Sequence, residues 1–369
     1  MSAAASFGLA WLSHETGRDL QRGVRAAGGA SALWEGSPAV LRRALRVDEA
    51  EAGQLHRMIR ETRLDDLRGK VTALGQRFVS SEDGGFPRGL RDLFDPPFGL
   101  FLVGGTPDLS AMLANGPVIG IVGARRASAD GMSFAEGLAR ALVARGATVV
   151  SGMARGIDTA AHRGAIEGGG RTIAVLGCGA DVSYPAANRA LHSAISEGGV
   201  VASEYWPGTR PAPWRFPARN RIVAGLCDGV IVVEAGSRSG ALITADFALE
   251  LGRPVLAVPG RPGSEVVAGC HGLIRSGAAL CEAVEDVVSE VPHPGWLDSV
   301  SDVETATAGL GGEIVAVLRE GPRSFDELTD ATGAAPGEIS AAVSELEIAG
   351  AVRRIGGRVH TTGARGGPR

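Results

Sequence analysis

The stretch that decides the fold runs from Gly116 to Gly260. It opens GPVIGIVGARRASADG (116–131) and continues VVSGMARGIDTAAH (149–162) and TIAVLGCGADVSYP (172–185). It closes with FPARNR (216–221), VIVVEAGSRSGALITA (230–245) and GRPVLAVPG (252–260). Runs rich in Val, Ile, Leu and Ala at 117–122, 147–150, 172–176, 199–203, 229–234 and 254–258 alternate with segments long enough for helices. Short, almost wholly apolar strands in alternation with helices predict a parallel sheet covered on both faces. The expected fold class is α/β, built on an extended Rossmann-like parallel sheet.

Each run hands over to a cluster of Gly, Ser, Arg or Asn, and in an open α/β sheet such clusters fall at the carboxyl ends of the strands, where ligands bind. After the first run comes Gly123-Ala124-Arg125-Arg126-Ala127-Ser128, with a helix starting near Asp130. Gly123 permits close approach, Ser128 or Asp130 can cap the helix, and the free amides of the turn make an anion site with Arg125 above it. The second run ends in Ser151-Gly152 and offers Arg155 before the next helix, where Asp158 can cap or order the loop. A long loop then ends in Phe216-Pro217-Ala218-Arg219-Asn220-Arg221, and the fifth run is followed by Ser239-Gly240. Guanidinium forks beside aromatic rings suit single-stranded nucleic acid, whose backbone is held by charge and whose bases are free to stack. Trp214 and Phe216 either take that stacking role or pin the loop to the sheet.

Other chemistries find little support. The dinucleotide fingerprint GxGxxG is absent, no acidic residue ends the second strand, and no lysine stands in a phosphate-binding loop. His162 falls inside a helix with no serine or cysteine context that pairs with it, so it reads as a packed histidine. His271 lacks the neighbours of a zinc site. The clusters suggest holding an anion more than transforming one, and no catalytic residue, metal or cofactor is expected.

Composition bounds the partners. A chain of 369 residues has room for two or three domains. Its net charge of -4 gives no general pull toward nucleic acid, so a polyanion site must be a local arginine patch. Lys70 is the one lysine, which leaves nearly all positive charge as guanidinium; a GC-rich genome accounts for this equally well. Cys178, Cys227, Cys270 and Cys281 are far apart and read as small hydrophobes in a reducing compartment. With no leader pattern and no apolar run long enough to cross a bilayer, the expectation is a cytoplasmic protein without membrane insertion.

The flanks read as separate modules. Leu9, Trp11, Leu12, Leu20, Val24, Leu33, Trp34, Leu41, Leu45, Leu55 and Met58 recur at roughly helical spacing, which predicts several short helices. Arg22, Arg25, Arg42, Arg43 and Arg46 are mixed with acids there and read as a solvated face. Phe98–Val103 is apolar and is expected to add an edge strand to the large sheet. Residues 286–308 read as a linker. Beyond it, three short helices and a two-stranded wing account for the pattern. The third of these helices carries Glu338, Glu345 and Glu347 and no basic residue, and only the wing, with Arg353, Arg354 and Arg358, is basic. That distribution favours protein contact or regulation over duplex reading.

Taken in series, VGARRAS (122–128), SGMARGIDTAAH (151–162), TIAVLGCGADVSYP, SEYWPG (203–208), FPARNRIVAGL (216–226), EAGSRSGALITA (234–245) and VPG (258–260) closely resemble the DNA-processing protein A (DprA/Smf) family over residues 80–280. The resemblance implies a SAM-like helical domain at 1–80, a Rossmann-like single-stranded DNA-binding domain at 81–285, the linker, and a winged helix at 309–362. It implies sequence-independent binding of single-stranded DNA, a homodimer through the central domain, and loading of RecA recombinase in natural transformation. By the same resemblance Arg125 and Ser128 lie in the first motif and Ser151, Gly152 and Arg155 in the second anion loop. Phe216, Arg219, Asn220 and Arg221 form the pocket, and Ser239 and Gly240 its last wall. One departure is His271, where relatives usually carry asparagine. The competing reading is a nucleotide-processing phosphoribohydrolase of the lysine-decarboxylase-like type. Its PGGxGTxxE motif is replaced here by EAGSRSGALITA, and Glu234 alone does not supply that site.

Overall fold

The computed structural model describes residues 2–104, 109–114, 116–296, 309–318, 321–348 and 352–361. They fall into two compact units, Met1–Trp296 and Leu297–Arg369. The wing residue 362 and residues 297–308 of the segment read as a linker lie outside the described residues. Residues 286–296 belong to the first unit, where Val287 and Val291 are buried against its sheet.

Among the described residues that sheet has nine strands: β1 (Gln76–Ser80), β2 (Gly99–Val103), β3 (Val118–Gly123), β4 (Thr148–Ser151), β5 (Arg171–Val175), β6 (Val200–Ser203), β7 (Gly229–Val233), β8 (Val255–Ala257) and β9 (Ala279–Leu280). Their order is β1-β2-β6-β5-β4-β3-β7-β8-β9. From β6 to β9 all neighbours are parallel, whereas β2 runs antiparallel to β6 and β1 antiparallel to β2. The sheet is therefore mixed, not wholly parallel as its apolar runs suggest. Phe98–Val103 also does not supply the edge: four of the five β2 residues are buried, and β1 covers them.

Side chains along the central strands alternate between two cores. Val118, Val122, Val230 and Val232 face one, and Ile119, Ile121, Ile231 and Val233 the other, as the two-residue repeat of a strand requires. The chain builds outward from β3 to β6 on one side and returns to lay down β7 to β9 on the other. Between β3 and β7 successive connections diverge, and the crevice they leave lies beyond the carboxyl ends of the strands. The helices Ala129–Ala144 and Ile157–Glu167, which follow β3 and β4, touch backbone to backbone. A Cβ on Gly164 would sit 2.0 Å from the carbonyl oxygen of Glu136.

Residues 2–73 form six helices, as their apolar spacing predicts, around Leu9, Leu12, Leu20, Leu33, Leu41 and Leu55. Phe7 fastens the first helix to the sheet, its ring 5.2 Å from Phe78 and 5.4 Å from Trp206. The five arginines between 22 and 46 are exposed.

In the second unit the helices Leu310–Leu318, Phe325–Thr332 and Pro336–Ile348 pack Ile314, Leu328, Ile339, Val343 and Leu346 against the hairpin β10 (Val352–Ile355) and β11 (Arg358–Thr361). Ser324 and Glu327 form a reciprocal capping box at the second helix. Two wing arginines are engaged by the unit's own acids. Arg354 forks onto Glu347, and Arg358 stands 3.5 Å from Glu327 and donates to Pro322 O.

Candidate functional site

The crevice holds a pocket of about 250 Å³. Its walls are Gly123 at the end of β3 and Arg125 just beyond it, Gly152 after β4, Phe216, Arg219 and Asn220 on the helix Arg215–Leu226, and Ser239 and Gly240 after β7. These residues, far apart in sequence, meet because parallel strands end on one side of the sheet.

Arg219 is the pocket's floor. Only 4% exposed, it donates from Nη1 to Gly152 O at 2.9 Å and to Val175 O. Residue 152 must be glycine for this to happen, since a Cβ there would lie 2.3–2.4 Å from the guanidinium nitrogens. Gly123 is as confined, with a Cβ position 1.9 Å from Val233 O. Below them Asp158 is buried and accepts from Ala154 N–H at 3.2 Å, which orders the second loop. Burial pushes its carboxyl above the usual range, and the nearby Arg219 opposes that push. Asn220 donates to Gly240 O at 3.1 Å and so ties the helix to the last wall.

At the mouth, Arg125 is exposed and its guanidinium lies 5.0 Å from the centre of the Phe216 ring. Phe216 in turn stacks on Tyr184 at 5.4 Å, giving a cation and two rings in series. Tyr184 is not among the site residues expected from sequence; its place in SYP at the end of the third motif is the available signal. No histidine, cysteine or lysine lines the pocket among the described residues.

Four expected residues stand elsewhere. Ser128 caps the helix Ala129–Ala144, accepting from Gly131 N–H at 3.0 Å. Its own N–H donates to Glu234 Oε2 at 2.8 Å and its hydroxyl to the other carboxylate oxygen. Glu234, left-handed at φ 49°, is thereby the latch between the ends of β3 and β7. Ser151 is buried and donates to Ile121 O at 2.6 Å. Arg155 lies outside the pocket. Arg221 is not brought to the pocket at all: it forks onto Glu204 with two 2.7 Å bonds and donates to Asp95 O at 2.9 Å. Two residues along a helix rotate a side chain by about 200°, so Arg219 and Arg221 face opposite sides. Arg221 instead lines a cleft of about 1250 Å³ between the first helices and the sheet.

His162 is buried, as expected of a packed histidine, with Nδ1 2.7 Å from Thr172 Oγ1, and that hydroxyl donates to Val149 O at 2.9 Å. Thr172 must then accept from Nδ1–H, leaving Nε2 bare. Burial, with Arg219 adding to it, pushes the imidazole down to about 3. The unfolded chain therefore takes up this proton first. The stability it contributes is complete above pH of about 6.5 and is lost as pH falls toward 3. A His162→Gln variant, which keeps a donor for Thr172, is expected to lose stability less steeply between pH 7 and 4, by up to about 1.4 kcal/mol per pH unit. Urea titrations across that range test it, and equal slopes in parent and variant would refute it. His271 is held by Gly260, its Nε2 3.1 Å from the carbonyl oxygen.

Among the described residues no group of three His, Cys, Asp or Glu could hold a metal ion, and no helix is long and apolar enough to cross a membrane. What the pocket can do is hold an anion: it presents one exposed and one buried guanidinium at the ends of three strands, with rings at its rim.

The family profile of DNA recombination-mediator protein A matches residues 77–292, and that of the DprA winged helix domain matches residues 302–358. A DNA processing protein DprA of Streptococcus pneumoniae is 45% identical over 221 residues, covering 58% of this chain and 75% of that one. The X-ray structure of DNA processing protein A from Streptococcus pneumoniae superposes with a TM-score of 0.68 at 34% identity, over 78% of this chain and 98% of that one. DNA processing protein A from Helicobacter pylori, whose structure concerns its single-stranded DNA binding mode, superposes with a TM-score of 0.51 at 29% identity, over 58% and 94%.

Proposed function

Because the chain belongs to the DNA recombination-mediator protein A family, we propose that its pocket holds the backbone of single-stranded DNA, without regard to sequence, for loading of RecA recombinase. The observation that carries this reading is the arrangement at the rim: an exposed Arg125 against Phe216 and Tyr184, over the buried Arg219. Cations and free amides meet phosphates, which carry no sequence information, and rings meet bases, all of which have a stacking face. The Helicobacter pylori relative's single-stranded DNA binding supports the same ligand. The strand order about β3 supports reading the sheet as an extended Rossmann-like fold. Homodimerisation through the sheet unit, a role in natural transformation and a cytoplasmic location belong to the proposal. So do the module boundaries 1–80, 81–285 and 309–362. Of the expected DNA contacts, Arg125 is the one we assign to phosphate directly, while Ser128, Ser151 and Arg221 hold the loops in place.

A phosphoribohydrolase would need Glu234 turned toward a substrate, and its carboxylate is spent on Ser128. Fluorescence anisotropy with labelled oligo-dT and the matching duplex tests the proposal. The parent should prefer the single strand, and Arg125→Ala should weaken dT, dC and mixed strands alike. The slope of log affinity against log salt should fall in magnitude by roughly 0.7, the share of the one phosphate that Arg125 neutralises. Equal binding of duplex and single strand, or an Arg125→Ala variant with parental affinity and slope, would overturn it.

A further inference from the structure

Trp214 is 64% exposed, yet its ring is not loose. The Arg215 guanidinium lies 4.9 Å from the indole and 5.0 Å from the Tyr205 ring, filling the corner between two rings that stand at 85° with centroids 6.4 Å apart. A cation bound in the corner fixes an aromatic side chain and leaves most of its surface in water. Trp11, Trp34, Trp206 and Trp296 are only partly exposed.

We infer that Trp214 is a second stacking platform, taking an unpaired nucleobase of the strand whose backbone lies in the arginine pocket. This rests on the single-strand reading above. Position favours it: Trp214 is the N-cap of the helix whose first two turns carry Phe216 and Arg219, and it stands on the cleft side with Arg221, so a strand that leaves the pocket and crosses the end of that helix reaches the indole. Charge decides which part of the strand it meets. Arg215 packs on the ring, but in the cleft behind it Asp19, Asp92, Asp95, Glu204 and Glu250 outnumber Arg18, Arg215 and Arg221, and Arg221 is paired with Glu204, so a phosphate is disfavoured there. A neutral base face is the part of a nucleotide that fits an indole backed by a guanidinium and a cleft in which carboxylates are in excess.

The test compares the full-length parent, Trp214→Ala and Trp214→Phe on a dT oligonucleotide and on an abasic strand of the same length. Trp214→Ala should bind dT roughly 5- to 150-fold more weakly, bind the abasic strand as the parent does, and keep the parental salt slope. Trp214→Phe should keep most of the affinity but lose most of the tryptophan quenching that dT produces in the parent. An alanine variant within twofold of the parent on dT, or one weakened equally on both strands, overturns the inference while leaving the single-strand reading standing. A parent that binds neither strand removes both.

Discussion

Arg219→Ala is expected to melt on the order of 10 °C below the parent, a larger effect than removal of any exposed arginine at the site. The side chain is buried, two carbonyl oxygens at the ends of β4 and β5 depend on it, and Asp158 is buried close by. Withdrawing the cation takes a donor from both carbonyls and removes a positive charge near Asp158, which keeps its backbone donors. Breaking a buried ionic group in this way costs about 3–5 kcal/mol, and each kcal/mol moves the midpoint of a domain of this size by about 2–4 °C. Arg219→Lys should recover little, because an ammonium on a flexible stem does not reproduce a planar fork between two carbonyls. Differential scanning calorimetry measures the shift. A variant with the parental melting temperature and a much lower DNA affinity would show instead that Arg219 is free to serve the ligand alone.

The second large effect concerns the pair that the sequence hides. Arg221→Ala and Glu204→Ala should each lower stability by about 3–5 kcal/mol, because each leaves the other ion buried without its partner. The side chains are 10% and 16% exposed and share two 2.7 Å bonds, so solvent screens them little. Replacing both, as Arg221→Met with Glu204→Leu, should recover most of the loss, since apolar residues of similar volume often do as well as a buried pair. A double-mutant cycle by urea denaturation measures the coupling. None of these variants should change the salt slope for oligo-dT; a slope that falls with Arg221 would return that arginine to the binding surface.

These two arginines also mark where reading from sequence ends. The six apolar runs at the centre of the sheet were legible because strands buried on both faces admit almost nothing but Val, Ile, Leu and Ala. β1 was not, because Gln76, Arg77 and Ser80 break the apolar pattern and its pairing with β2 is decided at a distance. The loops of the pocket were legible as Gly, Ser and Arg clusters at strand ends. What could not be seen was phase. Phe216–Arg221 read as the end of a loop, which treats its two arginines alike, whereas the segment belongs to the helix Arg215–Leu226. Pro217 does not forbid this, since a first turn needs no donor from that position. Once helical, the segment sends Arg219 to the pocket and Arg221 to Glu204, a partner seventeen positions upstream that no local pattern announces.

The contact at Gly164 reaches further than packing. The two helices that meet there begin directly after the Arg125 loop and the Gly152 loop, and Ile157 N–H donates to Ala124 O where those loops pass each other. The close approach leaves little room for one helix to shift without the other, which couples the two loops at their roots. If single-stranded DNA is the ligand, as proposed above, a supple strand arriving at such a surface bears most of the ordering itself. On the proposed reading the pocket itself ignores base identity, and any preference between strands comes from how readily each gives up its own freedom: a stacked, helical run of purines has already surrendered much of it in the wrong geometry, and a run of thymines has not.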